Sequence, residues 1–411
     1  RIRSGQSPNA ANAMRLKTIE SLGDLKGKRI LLRVDMNVPM RGARIADDAR
    51  IRMSLPTIER LRAAGVRLII VSHLGEGGPK ETLAPVARRL AVLLKAPVRF
   101  SRERVGTPAL ASPLKRLRPS GVIFLENLRS YPGEIANSPA FAKQLAALAD
   151  YYVNDAFAVC HRAHASVART AGLLPAAAGL LLAREVEVLS QLLGHPKHPF
   201  VALMGGAKIS TKVGVISNLL RTADSVLLGG ALVHGFLHAQ GFGVGGSLVE
   251  AAGTRMAKRL LAHARKKRIM LPLDVVIGDT QGNGRSARVV PIVDRTPFVL
   301  CGPREAILDI GPATIRAYAA HLRTAATIVW NGPMGMSERP PFHHGSMTLA
   351  RVITERSSGR AFGVVGGGDT LALMETTRMA RYIDHISSGG GAMLAFLGGE
   401  DLPGITPLVR N

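Results

Sequence analysis

Eight short, nearly unbroken apolar runs recur along the chain, each closing on a polar or glycine turn before a helical pattern begins. They are RILLRVDMNV (29–38), VRLIIVSH (66–73), GVIFLEN (121–127), YYVNDA (151–156), PFVALMGG (199–206), DSVLLGG (224–230), TIVWNG (327–332) and AFGVVGGG (361–368). Helical spacing fills the gaps, as in ARIRMSLPTIERLRAAG (49–65) and FAKQLAALA (141–149). A strand that is apolar on both faces must be covered on both faces, which demands parallel sheets with helices above and below. The expected class is α/β, with ligands beyond the carboxyl ends of the strands.

The strand ends differ between the two halves. Before about residue 185 they carry Asp35, Asn37, His73, Glu126, Asn127, Arg129, Asn154 and Asp155. After about residue 195 they carry glycines: 205–206, 229–230, 366–368 and 389–391. AREVEVLSQLLG (183–194) reads as a helix ending at a glycine, suited to join two lobes. One half looks built for a polar anion and the other for a nucleotide.

With 411 residues there is room for two or three domains. A net charge of +25 raises nucleic acid as a partner, but only 4% of residues are aromatic and no long block of like charge occurs; ARKKR (264–268) is the densest run. Nucleic acid is therefore not expected as the main partner. TAGLLPAAAGLLLA (170–183) is too short to cross a bilayer and contains Pro175, so no membrane is expected. Residues 1–13 are polar and without periodicity, and are expected to be an extension or expression remnant. Two cysteines, Cys160 and Cys301, make neither a disulfide framework nor a zinc spacing and suit a reducing cytoplasm.

Several motifs carry chemistry. Gly241, Gly243 and Gly246 match GxGxxG, but they follow a helical stretch rather than a strand and read as a loop. GGAKISTK (205–212) follows a strand and opens a helical pattern, so free N–H groups favour an anion there. Lys208 and Lys212 would share one helix face, facing either a polyphosphate or solvent. In VVGGGDT (364–370), Asp369 could ligate Mg²⁺ beside bound phosphate, while Asp369 or Thr370 could cap the next helix. SSGGGAMLAFL (387–397) adds another helix N-terminus. In RVDMN, Arg33, Asp35 and Asn37 alternate onto one strand face and want polar partners. His161 and His164 flank Arg162 in CHRAH, where a hydrogen-bonding role is expected rather than metal binding; Cys160 is not expected to be a nucleophile.

Taken in order, these stretches resemble phosphoglycerate kinase from Lys17 to about Leu408. The resemblance rests on LKGKRILLRVDMNVP, DDARIRMSLPTI, SHLG, LAPVA, LENLR, YYVNDAFAVCHRAHAS, PFVALMGGAKIS, WNGPMG, GGGDT, HISSGGGA and LPGITPL. It implies two Rossmann-like lobes, each a parallel sheet covered by helices on both faces and joined by a hinge helix. Residues 14–182 with 399–411 would bind 3-phosphoglycerate or 1,3-bisphosphoglycerate; 183–194 would be the hinge; 195–398 would bind ATP or ADP. The implied reaction is reversible phosphoryl transfer between 1,3-bisphosphoglycerate and ADP, with Mg²⁺, lobe closure and a cytoplasmic monomer. The alternative is a catalytically weak or regulatory nucleotide-binding protein keeping the fold.

Carried over by position, the resemblance implies that Asp35 and Asn37 hold the hydroxyl end of the substrate. Arg50, His73, Arg129 and Arg162 would hold its phosphate and carboxylate. Lys208 would contact the transferring phosphoryl, with Arg50 and the amides of Gly390 and Gly391 stabilising its charge. Gly206, Lys212, Gly230, Gly367, Gly368 and Thr370 would hold the nucleotide, Glu338 its ribose and Asp369 the magnesium. Ala231, Ile307 and Ser337 depart from the family's usual residues, as does Glu76, which stands where an arginine is usual. Glu76 is expected either at the rim of the anion site, with Lys80 as a candidate partner, or pointing outward into solvent.

Overall fold

The computed structural model describes residues 14–78, 80–263, 268–293 and 298–410. The extension 1–13 and all but Arg268 of the basic run 264–268 lie outside the described residues. The chain divides into two compact units, one reaching Ser190 and resuming at Asp401, the other spanning Gln191–Glu400. The division falls within a helix, Leu180–Gly194, which begins three residues before the expected hinge segment.

All eight apolar runs are strands. In the first unit six parallel strands lie in the order Val98–Ser101, Val122–Leu125, Arg67–Val71, Arg29–Val34, Tyr151–Asp155 and Ala176–Ala178. The Arg29–Val34 strand stops four residues before the end of its apolar run, yet the alternation continues. Ile30, Leu32, Val34, Met36 and Val38 all enter one core cluster with Ile51, Ile58 and Leu61 of the helix Ala49–Ala63. Each such side chain contributes about 1.5–3 kcal/mol on burial. With that parity taken by the core, the odd positions 33, 35 and 37 fall on the other face. The C-terminal segment closes this unit: Asn154 donates to Gly404 O at 3.0 Å, Gly404 N donates to Cys160 O, and Lys17 N donates to Leu408 O.

In the second unit the order is Ile269–Met270, Ser225–Leu228, Phe200–Met204, Thr327–Asn331, Phe362–Gly366 and His385–Ile386, again all parallel. Numbered by sequence within this sheet the order is 3-2-1-4-5-6, whose switch point lies between Phe200–Met204 and Thr327–Asn331. Trp330 is wholly buried in this core, and its indole N–H donates to Gly332 O at 2.8 Å, pinning the turn at the strand's end.

This unit also holds a feature that the parallel-sheet expectation omits. Arg288–Pro291, Asp274–Asp279 and Glu305–Ile310 form an antiparallel three-stranded sheet. The GxGxxG stretch is not wholly loop either: Phe242–Gly243 pairs in parallel with Phe298–Val299.

Candidate functional site

The carboxyl edge of the first sheet gathers an arginine cluster. Arg33 is almost fully buried. Its Nε donates to Ser166 Oγ at 3.0 Å, and its guanidinium also donates to Val34 O. Glu134, itself buried, accepts from Ser166 N at 2.8 Å, so a carboxylate stands one hydroxyl away from the buried charge. Arg33 Nη2 lies 3.3 Å from His73 Nδ1. A guanidinium can only donate, so Nδ1 accepts and the imidazole proton sits on Nε2. Burial, and then Arg33, Arg129, Arg162 and Arg50, push His73 well below the ordinary imidazole range. It is neutral, and its Nε2–H is a donor.

Asp35 is nearly buried and already paired: Oδ2 accepts from Arg50 Nη1 at 2.6 Å and Oδ1 from Asn37 N at 3.1 Å. Arg50, in the first turn of the Ala49–Ala63 helix, remains partly exposed. Arg162 is exposed on the turn after Tyr151–Asp155, its Nε 3.5 Å from His161 Nε2. Burial, followed by Arg129, Arg162, Arg33 and His161, brings His164 down to about 4. Cys160 is buried, its thiol pushed up to about 12, unsuited to act as a nucleophile.

The loop after Arg67–Val71 is stitched from several directions. Asn37 Oδ1 accepts from Gly75 N at 3.0 Å. Asn127 donates to Leu74 O and Glu81 O while accepting from Leu74 N and Arg129 N. Glu81 Oε2 accepts from Gly77 N and Gly78 N at 2.6 and 2.7 Å. Gly77, at φ +91°, lies so close to Arg129 that a Cβ there would sit 2.2 Å from Arg129 O. Glu76, on this loop, pairs with Arg129 rather than Lys80: Arg129 Nη1 is 2.6 Å from Glu76 Oε2. Lys80 is exposed. Arg33, Asn127, Glu134 and Glu81 organise this cluster without standing among the expected site residues; the buried Arg33 was foreshadowed by its strand parity alone.

The second unit's strand ends build a floor from backbone. Gly205 N donates to Asn331 O, Gly206 N to Pro333 O, Gly230 N to Met334 O, and Leu232 N to Gly206 O. Gly230 has φ +63°, and a Cβ on it would lie 2.7 Å from both Gly206 N and Pro333 O. Gly206 turns the chain at φ +90°, and a Cβ there would lie 3.0 Å from Lys212 Nζ. Lys212 is buried; desolvation lowers its ammonium and Asp369 opposes that shift.

Lys208 and Lys212 do not share a helix face. The helix starts at Val213 with Lys212 as its N-cap; before it the chain turns at Gly206, the Thr211 hydroxyl donates to Lys208 O, and Lys212 N donates to Ile209 O in a tighter turn. Lys208 is exposed on this loop. The helix Gly368–Thr376 is likewise not capped by Asp369 or Thr370: Gly367 is its N-cap, Asp369 is exposed in the first turn, and the buried Thr370 hydroxyl accepts from Gly332 N at 2.9 Å. The helix Gly390–Leu397 starts alongside, a Cβ on Gly390 lying 3.2 Å from Gly367 Cα, which brings Gly391 into the same corner. Glu338 is exposed beyond this floor. Beside Gly230, a small cavity of about 10 Å³ is lined by Val233, His234, Ile307, Leu308 and Met334 among others. That is room for one water at most.

Two sheets, one with a cationic carboxyl edge and one with a glycine-lined carboxyl edge, suit a transferase with an anionic acceptor and a nucleotide donor. The sequence pattern of the family described as phosphoglycerate kinase matches residues 19–400. A phosphoglycerate kinase of Pelotomaculum thermopropionicum is 46% identical over 402 residues, covering 96% of this chain and 100% of that protein. One of Desulforudis audaxviator is 47% identical, covering 95% of this chain and 98% of its own length. Among solved structures, phosphoglycerate kinase from Coxiella burnetii superposes with a TM-score of 0.83 at 37% identity, covering 96% of this chain and 99% of that one. The Pyrococcus horikoshii enzyme gives 0.79 at 32% identity, covering 96% and 98%. This chain belongs to the phosphoglycerate kinase family. The family makes it a kinase.

Within this kinase the expected anion residues Asp35, Asn37, Arg50, His73, Glu76, Arg129 and Arg162 all belong to the first unit, and the expected nucleotide residues to the second. Asn37 and Thr370 spend hydrogen-bonding capacity on the backbone, so they shape their surroundings as well as presenting polar atoms. No helix among the described residues is long and apolar enough to cross a membrane.

Proposed function

We propose that the chain is an ATP:3-phosphoglycerate 1-phosphotransferase, moving a phosphoryl group reversibly between 1,3-bisphosphoglycerate and ADP. The observation that carries this reading is the arginine cluster around a neutral His73, an environment for a small anion bearing both phosphate and carboxylate. Arg50, Arg129 and Arg162 bind those charges, and His73 Nε2–H serves as a fixed donor. A carboxylate oxygen attacks the terminal phosphorus of ATP in line and ADP leaves; the nucleophile is already ionised, so no general base is needed. Lys208 and the N–H groups of Gly390 and Gly391 stabilise charge on the equatorial oxygens. Gly206, Lys212, Gly230, Gly367, Gly368 and Thr370 form or support the nucleotide site, with Glu338 at the ribose.

Among the described residues no group of three metal-ligating side chains occurs. A single exposed carboxylate beside helix N-termini suits Mg²⁺, which retains water and takes phosphate oxygens as its other ligands. Asp369 would hold that ion, whose chemistry is to neutralise phosphate charge. The proposal includes a cytoplasmic monomer. A coupled assay tests it: ADP should form from ATP only when 3-phosphoglycerate and Mg²⁺ or Mn²⁺ are both present. A folded sample that shows no turnover at millimolar substrates would refute it.

A further inference from the structure

The Arg129 side chain is only 3% exposed, whereas that of Glu76 is 86% exposed, and the two meet at 2.6 Å. Nη1 of Arg129 donates to Gly75 O at 2.7 Å as well as meeting Glu76 Oε2. A guanidinium Nη carries two hydrogens, so the backbone carbonyl and the glutamate use up this nitrogen. Nε of the same arginine is buried with no hydrogen-bond partner among the described residues. The guanidinium is therefore locked on one side and has donor capacity left on the other.

The loop that supplies Glu76 is fixed independently of this pair. Asn37 holds Gly75 N, Asn127 holds Leu74 at both backbone atoms, and Glu81 holds Gly77 N and Gly78 N. The Glu76 backbone is thus tethered on both sides while its side chain projects into solvent. A tethered carboxylate acts at a high effective concentration toward a charge it can reach. It can also leave at low cost, because an exposed carboxylate is readily solvated.

We propose that Glu76 is a resident counter-ion of Arg129, a carboxylate that an incoming anionic substrate must displace, and that it sets the affinity of the site for anions. Asp35 does not fill this place, since it is nearly buried and committed to Arg50 and to Asn37 N. Glu76 differs by being exposed on a tether, so the same arginine passes from an internal to an external carboxylate or phosphate without being desolvated alone. Small anions that engage Arg129 through one contact lose most by this competition. A substrate with several charged groups also engages Arg50 and Arg162 and loses less. Glu76 is in this sense a specificity-determining residue.

The inference rests on the anion site being that of the proposed kinase, and the experiment separates the two. Titration calorimetry on the full-length protein would measure binding of 3-phosphoglycerate, inorganic phosphate and ADP to the parent, Glu76→Gln and Glu76→Asp. Glu76→Gln should tighten 3-phosphoglycerate about three- to ten-fold and inorganic phosphate by a larger factor, with ADP binding the same. Glu76→Asp keeps the charge but falls one methylene short of Arg129, so it should move toward Glu76→Gln. If Glu76→Asp binds as the parent does while Glu76→Gln tightens, the effect is through-space repulsion and the counter-ion inference is overturned. Equal affinities in all three proteins overturn it too. If the parent does not bind 3-phosphoglycerate at millimolar concentration, the proposed function fails, and the inorganic phosphate series still decides the role of Glu76.

Discussion

The two units build the carboxyl edges of their sheets from different materials. In the first, the polar atoms sit on long side chains: Arg33, Arg129 and His73 are buried and held by Ser166, Gly75 O and one another. In the second, the floor is backbone, with Gly205, Gly230 and Gly332 so close to neighbouring backbone that a side chain would not fit, and with Gly206 at φ +90°, a conformation that disfavours one. A side-chain site is sensitive to one misplaced charge or one lost anchor. A backbone site tolerates charge changes nearby and fails when a Cβ is added. The difference follows the ligands each is proposed to take, since a long polyphosphate can be bound by successive N–H groups and helix ends.

The comparison should break most visibly at Lys208, an exposed charge on the glycine-floored side. Lys208→Ala should lower kcat by ~100- to 1,000-fold, because positive charge at the moving phosphoryl matters most in the transition state. Steady-state kinetics read it; a change confined to KM would contradict the role. Next comes the floor itself. Gly230→Ala should raise KM for ATP about 100-fold, since the turn against Gly206 N and Pro333 O must shift by roughly an ångström. Gly214, in the helix Val213–Thr222, has open space within 4 Å of where a methyl would sit, so Gly214→Ala is the control and should be neutral or stabilising by ~0.5–1 kcal/mol. Equal effects of the two would refute the account of the floor.

A smaller effect is expected at Asn127, whose side chain bonds four backbone atoms of the first unit. Asn127→Leu should cost about 2–4 kcal/mol, from lost hydrogen bonds and stranded buried partners. It should also raise KM for 3-phosphoglycerate several-fold by loosening the loop that carries Glu76. Denaturant melts and kinetics together check this; a stability loss with no change in that KM would show that the loop does not shape the site.

How much of the molecule is legible in its sequence depends on the range of the contacts. The strands, the α/β class and the polar face of Arg33, Asp35 and Asn37 follow from period-two patterning, which is local. The helix onset near Lys208 departs from the periodic reading, which runs through a positive-φ glycine and a short-range Thr211 hydroxyl bond to Lys208 O before the helix begins at Val213. The work of Asn127 and the Glu76–Arg129 pair joins residues some fifty positions apart, invisible to any local pattern. The antiparallel sheet does leave a signal: DVVIGD and RVV flank a glycine- and asparagine-rich turn, a hairpin pattern that the stronger parallel-strand runs overshadow.

The smallest effect expected is a difference in acid tolerance between the units. In the first, His73, His161 and His164 all have imidazoles held low, His164 at about 4, while buried Asp155 is raised to about 6. An imidazole that titrates lower when folded binds fewer protons than in the unfolded chain, so its stability contribution falls as pH drops from ~6.5 toward the folded value. A raised carboxyl does the reverse, binding more protons when folded, and so favours the folded state as pH drops. In the second unit buried His234, at about 4, is opposed by buried Asp309, at about 7, and His343 near the surface adds little. The two large shifts nearly cancel there, whereas three histidines outweigh one carboxyl in the first unit. His164 is only half-buried, so solvent screening reduces its share. The first unit should therefore lose stability between pH ~6.5 and ~4.5, with carboxylates held low titrating mainly below that window. Trp330 is the sole tryptophan and lies in the second unit, so its fluorescence reports that unit alone. On acidification far-ultraviolet dichroism should decline before the Trp330 emission shifts, and hydrogen exchange should rise first in the strands Arg29–Val34 and Arg67–Val71. Coincident transitions would mean that the two edges, however differently built, respond to acid alike.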